Sequence, residues 1–193
     1  MTPLVERVLG DPRLYDRVQK TFGLDRLRAR VAPVLAELEP GTLLDVGAGT
    51  ANFYPVVPPT LAYTALDVDE RKLEGLRAKY PEVPTILASG TGIPVENDAF
   101  DHALCVDVSH HLRDDELDPF LAELARVTRR TLVFVDALKL ARLPSRLLWT
   151  LDRGSHPRPL EPLRAALERQ FELRRVETFT IQHAYVLAVG APR

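Results

Sequence analysis

Apolar and polar residues alternate along this chain with two different periods. Leu24, Leu27, Val31, Val34, Leu35 and Leu38 recur at the spacing of one helical face, and Pro33 predicts a kink within it. Short, continuous apolar runs follow over residues 42–46, 61–66, 84–88, 102–106 and 131–137, and each has the length of a strand. Between them lie segments near 51–57, 69–79 and 114–127 that read as helices. Strands that alternate with helices build a mostly parallel sheet covered on both faces, an α/β doubly wound architecture. The end of the chain breaks the rhythm. Phe171 to Ile181 and His183 to Gly190 are strand-like runs joined by a connection too short for a crossover helix, so they pair as a C-terminal antiparallel hairpin.

Composition narrows the class without changing the architecture. The chain has 193 residues, 46% hydrophobic and 27% charged, which suits one domain built around a single core over 1–193. A net charge of −2 supplies no general pull toward nucleic acid or an anionic membrane. The apolar runs are too short to span a bilayer, and the start Met1-Thr2-Pro3 has no basic flank or signal core, so a cytoplasmic protein is expected. Cys105 is the only cysteine and lies inside an apolar run, which excludes an intrachain disulfide and reads as inert core.

The first strand ends in the most informative stretch, Leu43-Leu44-Asp45-Val46-Gly47-Ala48-Gly49-Thr50-Ala51-Asn52. A glycine directly after a strand allows positive φ, and a second lets a ligand approach bare backbone. A helix start just beyond would offer unpaired N–H groups. Twenty residues after Gly47, at the end of the next apolar run, Asp67 can accept both hydroxyls of a ribose. A dinucleotide site needs a small residue at the sixth motif position, where this chain has Asn52. None of the tyrosines is followed four residues later by lysine, so short-chain hydride transfer is disfavoured.

From about Thr42 to Val135 the chain resembles the class I S-adenosylmethionine-dependent methyltransferases, of methyltransferase type 11, and especially the branch that includes quinone-biosynthesis methyltransferases. Leu43 to Ala51 is similar to that family's first motif, and Leu66-Asp67-Val68-Asp69 to its ribose-binding loop. Ala88-Ser89-Gly90-Thr91-Gly92-Ile93-Pro94-Val95 is similar to its adenine loop. Phe100-Asp101, then Val108-Ser109-His110-His111-Leu112, resemble its fourth strand and the loop beyond, and residues 121–127 the helix before its fifth strand. The resemblance implies a Rossmann-like seven-stranded sheet and S-adenosylmethionine as cofactor. It further implies that Asp45 and the backbone of Gly47, Ala48 and Gly49 hold the methionine end, that Asp67 with Val68 takes the ribose, and that Ser89 and Gly90 flank the adenine. Asp107 stands on the same rim. Two departures stand out: Ala51 replaces the usual third glycine, and Ser89 an acidic residue. A hydrogen bond to a charged group is worth roughly 1.5–3 kcal/mol and a neutral one about 1, so Ser89 predicts cofactor affinity weaker by about tenfold.

Methyl transfer from a sulfonium is an in-line displacement, for which positioning supplies most of the acceleration. A base for the acceptor's proton remains to be found, and His110 or His111, just past the fourth strand, have suitable chemistry. Adjacent histidines on a turn diverge and no third ligand stands at recognisable spacing, so no metal is expected. Asp114-Asp115-Glu116 reads as a helix N-terminus.

Residues 1–25 and 139–160 exceed what the family core needs and read as substrate-covering elements. Lys139 to Arg158 holds five Lys/Arg and one Asp. In it Leu140, Leu143, Leu147, Leu148 and Leu151 recur at helical spacing beside Trp149, as a lid over an apolar pocket, as a surface helix packed on the core with solvated arginines, or as a dimer contact. Tyr15, Trp149, Arg153 and His156 are the candidate acceptor contacts, with Arg153, His156 or Arg158 meeting an anionic substituent. The expected acceptor is a small molecule, amphiphilic or anionic, methylated on O, C or N by a monomer or homodimer, without nucleic acid and without stable membrane insertion. Two alternatives stay open: a non-methylating reaction on the same cofactor, such as a cyclisation or decarboxylation, and a non-enzymatic binding module.

Overall fold

The apolar runs become the strands of one sheet. In a computed structural model, which describes residues 23–139, 156–181 and 184–193, the chain forms α1 (Leu24–Ala36), β1 (Gly41–Val46), β2 (Leu61–Asp67), α2 (Glu70–Lys79), β3 (Thr85–Leu87) and β4 (Phe100–Val106). There follow α3 (Asp114–Val127), β5 (Thr128–Ala137), α4 (Leu160–Gln170), β6 (Phe171–Thr180) and β7 (Ala184–Pro192). The strand order is β3-β2-β1-β4-β5-β7-β6. Strands β1 to β5 pair in parallel, and β7 pairs antiparallel with both β5 and β6, so the terminal hairpin closes the sheet as expected.

Period-two alternation divides the core in two. Leu43, Tyr63, Ala65, Leu104, Val133 and Val135 point to the face covered by α1 and α2, with Val31, Leu35, Leu73 and Leu76 completing that layer. Leu44, Leu66, Ala103, Cys105, Leu132 and Phe134 face α3 and α4 through Phe120, Leu121, Leu124, Leu163 and Leu167. Fully burying side chains of this size stabilises by about 1.5–3 kcal/mol each, so both faces must be covered. Cys105 is buried and unbridged, and burial holds its thiol well above the usual range. Among the described residues no helix is long and apolar enough to cross a membrane.

Helix α3 starts at Asp114 as expected, with the Glu116 carboxylate accepting the Arg113 N–H at 2.8 Å. One expected helix is absent. Residues 51–57 form turns and a single 3-10 turn, Tyr54–Val56, held by bonds such as Tyr54 N–H to Ala51 C=O at 3.2 Å. Pro55 and the pair Pro58-Pro59 cannot supply helical N–H donors, and Val56 and Val57 are β-branched, so the segment never gains the bonds that a longer helix needs. The loop after β1 is held from α1 instead, where Arg28 Nε donates to the Asn52 carbonyl at 2.6 Å.

Candidate active site

The order of the sheet reverses between β1 and β4, and the chemistry-bearing residues lie at the carboxyl ends of these strands and their neighbours. Gly47 (φ 78°) and Gly49 (φ 59°) both adopt the left-handed conformation, for different uses. A Cβ on Gly47 would stand 2.4 Å from Val108 Cγ2, so this glycine lets the first loop pack against the segment leading to His110. A Cβ on Gly49 would meet only Lys72 Cδ, at 3.9 Å, which leaves the open cradle at Gly49.

Asp67 closes that cradle. Its carboxylate is buried and accepts the Gly49 N–H at 2.8 Å and the Asp69 N–H at 2.9 Å, with Lys72 Nζ 3.9 Å away. Two carboxylate oxygens offer about four acceptor sites, so capacity for hydroxyl donors remains. Val68, 72% exposed, and Leu87, 52% exposed, are the large hydrophobic side chains left open to solvent among the described residues. They follow directly on β2 and end β3, where a planar base beside a ribose on Asp67 would need an apolar wall. Ser89 is exposed, with its Oγ 2.8 Å from Thr91 Oγ1, and Gly90 is half-buried.

Asp45 lies beneath the loop, 2% exposed, and accepts the Tyr63 hydroxyl at 2.6 Å. Burial drives its pKa up to about 7, the Tyr63 bond opposes this, and the charge of Asp67 adds to it.

The expected histidine gains a partner that sequence spacing could not reveal. His110 is buried, and its Nδ1–H donates to Asp136 Oδ1 at 2.5 Å, from the end of β5. The Ser109 hydroxyl and the His110 N–H donate to Asp136 Oδ2, and the Ala137 N–H to Oδ1 at 2.7 Å. Burial pushes the Asp136 carboxyl upward, but the His110 charge and these donors outweigh it and hold it below the ordinary carboxylate value. His111 is exposed, with its ring 4.2 Å from that of His110. Asp107, half-buried at φ 57°, donates its N–H to the Val135 carbonyl at 3.0 Å.

Asp107, His110 and Asp136 place one ligand-type atom each within 4.8 Å of the others, two carboxylates and an imidazole that chain spacing did not bring together. The 2.5 Å His110–Asp136 separation is that of a hydrogen bond. Ligands about 2.0–2.2 Å from one ion stand about 3 Å or more apart, so at this separation the two side chains are hydrogen-bonded to each other.

The acceptor side departs further from expectation. Arg158 is engaged within the protein and does not offer its charge to an anionic acceptor. It is buried, donating to the Ser109 and Leu112 carbonyls at 2.8 Å each and pairing with Asp114 at 2.9 Å. His156 is half-buried, and its N–H donates to the His110 carbonyl at 3.0 Å. Tyr15, Trp149 and Arg153 lie outside the described residues, as does most of the 139–160 segment. Asp136 and Tyr63 are the residues that sequence reasoning missed. Asp136 follows the apolar run Leu132 to Val135, the same signal that marks Asp45, Asp67 and Asp107.

Residues 44–135 match the family model described as a methyltransferase domain. These residues, just under half of the chain, are similar to a methyltransferase domain, in agreement with the resemblance carried by the motifs. An uncharacterised methyltransferase-like protein of Schizosaccharomyces pombe is 31% identical over 93 residues, 47% of this chain. The matched stretch spans only 35% of that relative's length. Among solved structures, the complex of the Haloferax volcanii Trm112 methyltransferase activator with its methyltransferase superposes with a TM-score of 0.77 at 14% identity, covering 100% of both chains. The magnesium protoporphyrin IX methyltransferase of Synechocystis, with bound S-adenosylhomocysteine, gives 0.71 at 18% identity, covering 97% of this chain and 92% of that one. Identities this low speak for the shared fold.

Proposed function

We propose that the protein methylates a hydroxyl or amine of a small-molecule acceptor and that His110, oriented by Asp136, removes the acceptor's proton. The observation that carries this reading is the buried His110–Asp136 hydrogen bond of 2.5 Å beside the strand reversal. Bound at the rim, S-adenosylmethionine supplies an electrophilic methyl on a good leaving group. The protein's task is then alignment and proton removal. With Nδ1–H held by Asp136, the neutral imidazole carries its basic lone pair on Nε2. The carboxylate stabilises the imidazolium that forms as the proton arrives.

The open space at Gly49, the Asp67 carboxylate and the exposed Val68 and Leu87 fit the cofactor's ribose and base. Asp67 would accept the ribose hydroxyls, Val68 would lie against the adenine with Ser89 and Gly90 at its edge, and the backbone of Gly47, Ala48 and Gly49 would hold the methionine end. Asp45 beneath the loop would pair with the ammonium, which favours its ionised form. Asp107 would complete the rim between cofactor and base. The anionic-acceptor reading rests on Arg153 and His156 alone, since Arg158 is already engaged.

Calorimetric titration with S-adenosylmethionine and S-adenosylhomocysteine, with NADH as control, tests the cofactor site. Asp67→Ala is expected to weaken binding at least tenfold, and unchanged affinity would refute the ribose assignment. Once an acceptor is found, His110→Ala is expected to slow turnover by about 10²–10⁴-fold with cofactor affinity near wild type, the range of a lost general base. Normal turnover in that variant would place the base elsewhere.

A further inference from the structure

We infer that Arg158 is a positioning residue, a cross-brace that holds the His110 turn against the strand carrying Asp136. It rests on the reading of His110 as the base, but its geometry comes from different residues. The 3-10 turn Ser109–His111 is short, and its internal bonds are His111 N–H to Val108 C=O at 3.0 Å and Leu112 N–H to Ser109 C=O at 3.1 Å. A turn with so little internal support does not fix an imidazole to a few tenths of an ångström. Its carbonyls are taken by residues 156–158. The His156 N–H donates to the His110 carbonyl, and the Arg158 guanidinium bonds the Ser109 and Leu112 carbonyls on either side. Nε and Nη2 reach Asp114, the first residue of α3, at 3.1 and 2.9 Å.

The backbone of Arg158 is tied elsewhere. Its carbonyl accepts the Lys139 N–H at 2.9 Å, and it forms a parallel bridge with Leu138, two residues beyond Asp136. One residue therefore joins both halves of the His110–Asp136 pair, by its main chain to the strand with the carboxylate and by its side chain to the turn with the imidazole. The guanidinium suits this task because its planar fork satisfies several acceptors in fixed directions, which an ammonium on a flexible stem does not.

The test of the brace itself uses the full chain and needs no acceptor; turnover of His110→Ala, read once an acceptor is found, then separates the brace from the catalytic reading. In the wild type, the Nδ1 proton shared with Asp136 is expected as a strongly downfield proton resonance, assigned by its absence in His110→Gln. Arg158→Met is expected to lose that resonance to exchange while S-adenosylhomocysteine affinity by calorimetry stays within about threefold of wild type, because the contacts proposed at Gly49, Asp67 and Val68 follow β1 and β2, away from the brace. Persistence of the signal in folded Arg158→Met overturns the inference. If that variant does not fold, Arg158→Lys, which keeps the charge and loses the fork, decides by the same criterion. Loss of the signal in Arg158 variants together with normal turnover of His110→Ala would keep the brace and remove the catalytic reading. Retention of the signal with dead His110→Ala would do the reverse.

Discussion

Ala51 shows how a motif departure changes meaning once its backbone is known. It occupies the position where the family's first motif has a third glycine, and it adopts φ 58° with its side chain fully buried. Holding a non-glycine residue in the left-handed region costs roughly 1–2 kcal/mol. Replacement by glycine would relieve that strain, lose about 0.8 kcal/mol from one buried methyl, and lose a further 0.4–1 kcal/mol or so through the freer unfolded chain. The terms nearly cancel, so Ala51→Gly is expected within about 1 kcal/mol of wild type by urea denaturation. Gly47→Ala has no such compensation, because positive φ and the approach to Val108 both oppose it, and a loss of about 2–4 kcal/mol is expected. Equal stabilities for these variants would refute the geometry given to the loop.

Asp45 supplies a prediction with a definite sign. Its pKa is raised from 3.8 to about 7 by burial, so between those values the folded chain holds a proton that the unfolded chain has lost. This contribution to stability is complete below about pH 4 and disappears as pH rises through 7. His102, lowered by burial, and Asp101, lowered by Arg129, act in the opposite direction on acidification, so the variant must be compared with wild type at each pH. Asp45→Asn is expected to gain thermal stability relative to wild type from pH 4 to pH 7.5, each kcal/mol appearing as about 2–4 °C. A constant difference across that range would mean that the carboxyl titrates normally. The Asp45–Tyr63 contact itself was not legible, because tyrosine on the neighbouring strand reads equally well as plain core.

Among the elements, helices with a clear apolar stripe and a charged start were read correctly, and Asp114–Val127 is the best case. The 51–57 segment is no helix because Pro55, Pro58 and Pro59, all present in the sequence, deny it N–H donors that the alternation of elements alone does not take into account. The consequence is mechanical. A loop without a helix behind it depends on outside support, and Arg28 of α1 provides it through the Asn52 carbonyl. Arg28→Ala is expected to cost about 1–2 kcal/mol of stability, as for a partly buried charged hydrogen bond, and to weaken S-adenosylmethionine binding several-fold. Denaturation and calorimetry check the two effects separately, and no change in either would show that the loop holds itself.

At the scale of the whole molecule, parallel strands and terminal hairpin were readable because the apolar runs are short and their connections differ in length. Which strands adjoin was not readable from periodicity, and for that reason Asp136 was missed. The pairing of β4 with β5 brings it to His110 across 26 residues of chain. The same topology governs the response to ligand. The proposed cofactor rim would draw on the loops after β1, β2 and β3 and on the end of β4, so a ligand held there is expected to bind only when this half of the sheet is assembled and to stabilise the folded state. S-adenosylhomocysteine at about a hundred times its Kd adds roughly 2.7 kcal/mol, which for a chain of this size raises the thermal midpoint by about 5–10 °C. The same concentration of NADH is expected to leave it unmoved, and Asp67→Ala to reduce the shift with S-adenosylhomocysteine. An equal shift with NADH would point to a dinucleotide site, which the side chain of Asn52 at the sixth motif position opposes.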